Sequence, residues 1–256
     1  MNGALEILVM QTIGALRSRM IQFCVIVPPV FFSILLVFLF GGASDGFVTS
    51  QAAVGASLLS IWSVLVFTAL ADIDTEKVDG TLSPTFVAPT HFEITLAIKS
   101  VGHLGAALCT APIAFMTCYI LIGVSPRFAD PGSALVGFVT FCISATSFAI
   151  VLGSCIALTR SARILMNFVE YPIYILSGIV IPIASLPGWL RDLGLLLPFS
   201  YTTKLIWLGI VESAPETGQT TILAAAAAAG ASAACAMFLL KIIAKRIRVV
   251  GRLDLA

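Results

Sequence analysis

Glu170 is an acid inside an otherwise charge-free apolar run from Ile164 to Pro182. Ionisable groups in such runs face a cavity or a partner. Two readings stay open for it. It can pair with Arg163 or Arg160, the former about 10 Å away along a helix axis, or it can line a substrate path with Asn167 and Tyr174, which share its helical stripe. The second concentration of chemistry is the segment 72–97, where Asp72, Asp74, Glu76, Asp79 and Glu93 stand against Lys77, with Lys99 just beyond it. Neither group is an enzyme's. The chain holds no HExxH and no pair of carboxylates within one apolar run, so no catalytic residue is expected. His103 is expected to pack or hydrogen-bond at the start of a span, and His91 has no acid–base partner at useful spacing. The six cysteines fall in apolar runs with no CxxC pair, which predicts small buried apolar side chains and no metal site.

The elements that position these residues follow from composition. Of 256 residues, 59 % are hydrophobic and 11 % charged, against about 45–50 % and about 25 % for a soluble domain. With 14 Lys and Arg and 13 Asp and Glu, the chain cannot cover a water-facing surface, so the class is a polytopic all-α membrane protein. A spanning helix needs about 20 apolar residues. Stretches 20–44, 46–71, 100–126, 131–159 and 217–240 qualify, and 164–182 makes a sixth across Glu170. Segment 184–216 is apolar enough to tempt a seventh, but it carries Arg191, Pro198 and Lys204.

Charge parity decides between six and seven. With six spans and cytosolic termini, Arg17, Arg19, Lys77, Lys99, Arg160, Arg163, Lys241, Lys245, Arg246, Arg248 and Arg252 lie inside, and Arg127, Arg191 and Lys204 outside. That satisfies the positive-inside rule, which a seventh span would break. Segment 184–216 is therefore expected to be a re-entrant or interfacial outer hairpin, its backbone shielded by protein or a wet cavity, with Trp189 and Trp207 anchoring it at headgroup level. No cleavable leader is expected, because the first apolar run is too long for one. Residues 1–19 form their own unit before the transmembrane domain 20–256. Leu5, Leu8, Val9, Thr12, Ile13 and Leu16 recur at helical spacing, as in an amphipathic helix on the cytosolic face; an extension of the first span is the other reading.

Local sequence sharpens the connections. Asp130 before Pro131 reads as the N-cap and first-turn proline of the fourth span. Ser83 and Pro84 open a short helix that ends before Pro89, and Thr90-His91-Phe92-Glu93 has capping-box form ahead of the third span. The alanine-rich run 224–234 permits close helix approach, either within the chain or at a subunit interface.

These residues resemble a known family, the membrane components of type-2 ABC transporters (ABC-2 permeases). One hallmark is Glu76, then Gly80-Thr81-Leu82, Pro89 and Lys99. A second is Ser177, Gly178, Pro182, Leu186, Pro187, Trp189, Leu197 and Pro198. Pro84 departs from the family, which more often has a polar residue there. The resemblance implies a half-size permease that pairs with a second copy or a close paralogue and binds two ABC ATPase (nucleotide-binding) subunits. ATP and Mg would sit on those subunits, with no cofactor on this chain, and the chain indeed has no GxxxxGK[ST] loop. It further implies that segment 72–97 is the coupling helix, with Glu76, Gly80, Thr81, Leu82, Pro84, Phe86 and Pro89 as its contact set. Pro182, Pro187, Trp189 and Pro198 would form an outer gate, and no nucleic acid is involved.

The function these readings converge on is ATP-driven export of an amphipathic or lipid-like compound, of drug or antibiotic type, across a bacterial inner (cytoplasmic) membrane. Export of a polysaccharide or lipo-oligosaccharide is the alternative. A proton-coupled carrier would rest on Glu170 alone.

Overall fold

The computed structural model describes residues 10, 12–14, 17, 19–40, 45–78, 92–157, 170–180, 183, 186–210 and 218–250. The helices among them are α1 (Arg19–Leu39), α2 (Gly46–Val78), α3 (Phe92–Leu108), α4 (Thr110–Ile122), α5 (Pro131–Ala157), α6 (Gly188–Leu195), α7 (Phe199–Ile210) and α8 (Gly218–Val250), with a further helical stretch at 170–176. No strand occurs among the described residues.

Five stretches are long and apolar enough to cross a bilayer: Arg19–Leu39, Gly46–Thr68, Ala97–Ile122, Pro131–Gly153 and Gln219–Ile242. They match the five charge-free stretches. The third is broken at Cys109, where the chain turns between α3 and α4. Pro112 supplies the reason, since it has no N–H for the carbonyl of Leu108 and its ring crowds that carbonyl. Of the expected span 164–182, fifth in chain order, the described part begins at Glu170 and is helical to 176.

Helix α2 is the centre of the bundle. Within Gly46–Thr68, 83 % is buried, against 28 % for α1 and 17 % for the apolar stretch of α8. Its small residues let neighbours come close, as packing in lipid requires. Ala52, Ala53, Ala56, Ser57 and Ser60 are fully buried, and a Cβ on Gly55 would stand 2.8 Å from Leu36 Cδ1. Ser57 and Ser60 donate to the carbonyls of Ala53 and Ala56, both at 2.6 Å, so their hydroxyls need no other partner. The helix also continues to Val78, beyond the expected end of the span at 71. Its 33 residues rise about 50 Å, well over the roughly 30 Å of hydrocarbon.

Segment 184–216 contains two helices that meet at 104°. Helix α7 has 12 residues and rises about 18 Å, too little to span the hydrocarbon. Pro198 makes the break, because the residue before a proline is pushed out of helical geometry. Most of α7 is buried, from Phe199 through Ile210, which meets the shielding that a re-entrant backbone needs. It packs on α5 with backbones nearly touching. A Cβ on Gly137 would stand 2.6 Å from Ile206 Cγ1, and one on Gly209 2.5 Å from the Ala134 nitrogen.

Helix α8 lays Thr221, Ala225, Ala229, Ala236 and Leu240 against the bundle and leaves Ala226, Ala227, Gly230, Ala231 and Ala234 exposed. The small-residue run thus packs within the chain along one stripe and presents small residues outward on another. The cysteines depart from expectation. Cys118 and Cys142 are buried, but Cys109 and Cys235 are exposed on the outside of the bundle, where an apolar thiol suits lipid as well as a core.

Candidate functional site

Glu170 opens the described part of the fifth span, and two hydroxyls converge on it. Ser63 Oγ donates to Glu170 Oε1 at 2.8 Å, and the Tyr174 phenol donates to the same oxygen at 2.5 Å. The Tyr174 bond is local, four residues along one helical face. The Ser63 bond crosses to α2 over 107 positions of sequence. Cys24 of α1 lies within electrostatic range of the carboxylate. Among the described residues no basic side chain pairs with Glu170 and none bonds its Oε2.

Rings continue the site toward the outside of the bundle. Tyr174 is buried and meets Phe32 of α1 edge to face at 5.6 Å between centroids, and Tyr171 edge to face at 6.1 Å. Phe31 meets Phe32 at 5.9 Å. Tyr171 is 65 % exposed and Phe31 58 %. The carboxylate therefore stands where α1, α2 and 170–176 meet, behind a ladder of rings that opens laterally. Ser63 lies about 25 Å along α2 from Gly46 by helical rise, within the part of the helix remote from the 45–46 and 123–130 connections.

Those connections are tied together at the other end. Arg127 N–H donates to Gly46 O at 3.0 Å, Ser50 Oγ donates to Arg127 O, and Asp130 N–H donates to Gly209 O at 2.9 Å. Asp130 caps α5 as expected, accepting from Gly132 N–H at 3.0 Å and from Ser133 Oγ at 2.5 Å. The Ser133 hydroxyl, with the backbone N–H groups of Ser133 and Gly132, holds the Asp130 carboxyl below its ordinary value of 3.8. Asp45 does the same work for α2, accepting from Phe47 N–H at 3.2 Å.

The hairpin is pinned at the end of the fifth span. Gly178 has φ +75°, and a Cβ there would stand 2.5 Å from Ile183 Cγ1, so the turn requires glycine. Thr203 Oγ1 donates to Ser177 O at 2.6 Å, and Trp207 Nε1 to Gly178 O at 2.8 Å. These are carbonyls that a helix end leaves unsatisfied. Trp207 therefore faces inward, unlike the expected headgroup anchor, while Trp189 is 67 % exposed. Phe199, at the deep end of α7, closes an aromatic cluster with Trp62 at 5.1 Å, Phe141 at 5.7 Å and Phe148 at 5.6 Å.

Of the expected gate residues, Pro187 precedes α6 and accepts from Arg191 N–H at 2.9 Å. Pro198 lines a cavity of about 430 Å³ with Phe148, Tyr201, Ala231 and Cys235. That cavity lies on the α5, α7 and α8 side and holds no charged residue. Pro182 and Asn167 lie outside the described residues, as do Arg160, Arg163 and, in the expected coupling set, Gly80, Thr81, Leu82, Pro84, Phe86 and Pro89. Glu76 belongs to the last turns of α2. His103 is buried in α3. Thr12, in the expected amphipathic segment, donates to Gly102 O at 3.1 Å while Met10 and Ile13 are exposed. No group of three His, Cys, Asp or Glu is placed to hold a metal among the described residues.

The ABC-2 type transporter family model matches residues 5–209, most of the chain. The chain belongs to the ABC-2 type transporter family. No curated protein matches the chain. As an ABC-2 component it is a multi-pass membrane subunit of an ABC transporter, a class that works with ABC ATPase subunits. Ser63 and Thr203 were not among the expected site residues, and Trp207 was expected as an anchor and not as the partner of Gly178 O. Their signals are weak, since hydroxyl residues recur throughout α2 and α7 and an aromatic near a span end reads as an interfacial anchor.

Proposed function

We propose that this ABC-2 subunit exports an amphipathic compound across the cytoplasmic membrane, driven by ATP hydrolysed on two separate subunits, with a second permease copy or paralogue completing the path. The observation that carries this reading is the Ser63–Glu170 bond. It joins the fifth span to a single helix, α2, that runs on to Glu76 at the 72–97 loop.

In this reading the termini are cytosolic, and Glu76, Gly80, Thr81, Leu82, Pro84, Phe86 and Pro89 form the docking element. A continuous helix transmits a push along its length, whereas a floppy loop would absorb it. Closure of the ATPase subunits would tilt α2 and move Ser63 relative to Glu170, changing the path lined by Glu170, Tyr174 and Asn167. The Pro182, Pro187, Trp189 and Pro198 region, pinned by Trp207 to Gly178, would form the outer gate.

Charge reversal at Glu76 tests the docking element. In proteoliposomes holding permease and ATPase subunits, Glu76→Lys is expected to insert normally and to lose transport-coupled ATP hydrolysis. Coupled hydrolysis at the native rate would refute the assignment.

A further inference from the structure

The geometry points to a cation as the head of the transported amphiphile: we infer that Glu170 and the rings beside it receive a protonated amine or quaternary ammonium. This deepens the export reading and rests on it.

A carboxylate inside a spanning bundle is costly unless something offsets its charge. Here both hydrogen bonds come from neutral hydroxyls and go to one oxygen, Oε1. Among the described residues no Lys or Arg pairs with it. The groups around it are those that bind an organic cation. Tyr174 has its ring held in place by its own bond to the carboxylate, and Phe32 and Tyr171 each meet it edge to face, with Tyr171 exposed. Aromatic faces attract a cation, most strongly when it is desolvated. An anionic head would meet Glu170 with like charge, and among the described residues a metal ion would find no group of three His, Cys, Asp or Glu to hold it.

The site also opens in the right direction. Tyr171 and Phe31 are exposed on the side of the bundle, so an amphiphile can approach from the bilayer, its chain in lipid and its head against Glu170. In the proposed orientation this is the cytosolic part of the membrane, the side from which an exporter loads.

Chain-matched probes test the inference on the whole permease in phosphatidylcholine nanodiscs, with empty discs subtracted: dodecyltrimethylammonium, whose charge does not titrate, and neutral dodecyl maltoside. The native protein is expected to prefer the ammonium. Glu170→Gln should weaken ammonium binding at least about tenfold and leave the maltoside unchanged, Glu170→Asp should restore most of the preference, and Tyr171→Leu should lower ammonium affinity a few-fold. Equal ammonium affinity in native and Glu170→Gln proteins would overturn the inference, as would equal loss of both probes, which would make Glu170 a shaping residue. ATP-dependent efflux by the complete complex is read separately. Absence of efflux of either probe, with the binding difference intact, would defeat the export reading and not the cation site.

Discussion

Ser63 and Glu170 are joined by a 2.8 Å hydrogen bond across 107 positions of sequence, and that bond is the link between the central helix and the charge of the fifth span. Hydrogen bonds between spans average about 0.6 kcal/mol. Ser63→Ala is therefore expected to fold and insert like the native chain, with stability to denaturing detergent lowered by about that amount. Transport should fall much further than stability. Equal, small losses in both would reduce the bond to scaffolding.

The turn at Gly178 gives a stability prediction. A side chain at left-handed φ costs roughly 1–2 kcal/mol, and a Cβ here also meets Ile183 at 2.5 Å. Gly178→Ala should therefore destabilise more than Trp207→Phe, which only removes the N–H bonded to Gly178 O. Thermal unfolding of the two variants in one detergent checks the order.

The α5 cap gives a pH prediction. Asp130 has its carboxyl held below the ordinary value, so the cap's contribution is complete above the unfolded-state pKa. It is lost as pH falls through the lower folded-state value. Asp130→Asn keeps an acceptor without the titration. The Tm difference between native and Asp130→Asn proteins should be constant near neutral pH and shrink only in the acid range, below about pH 4.

The close contact of α7 with α5 gives a prediction about the hairpin. Gly209 leaves no room for a Cβ beside the Ala134 backbone, and backbone cannot yield as a side-chain tip can. Gly209→Val should displace α7 and expose Cys142, which is buried on α5, to thiol reagents. Unchanged labelling of Cys142 would show that the hairpin tolerates displacement.

What the sequence made legible was local or long. The spans could be read because apolar length is set by bilayer thickness, and the Asp130 cap because its partners lie two and three residues away. Glu170 and Tyr174 were legible as one stripe because they are one helical turn apart. Ser63 was not, because Ser57 and Ser60 on the same helix bond back to their own backbone and nothing local sets Ser63 apart. Trp207 misled for a related reason. Its partner, Gly178 O, is 29 positions away, so only tertiary packing turns it inward.

In the proposed mechanism α2 acts as one rigid element between Glu76 and Ser63, and interrupting the helix between those residues puts that rigidity to the test. Replacing Ala71, Asp72 and Ile73 together by glycine keeps the length and lowers helix stability by about 1 kcal/mol per position, whereas replacing Asp72 and Ile73 by alanine keeps the helix. ATP-driven transport would be measured in the reconstituted complex, with co-purification of the ATPase subunit as the control for assembly. The glycine variant is expected to retain its ATPase partner and hydrolysis but to lose transport, while the alanine variant is expected to transport normally. Native transport by the assembled glycine variant would contradict the proposed mechanism.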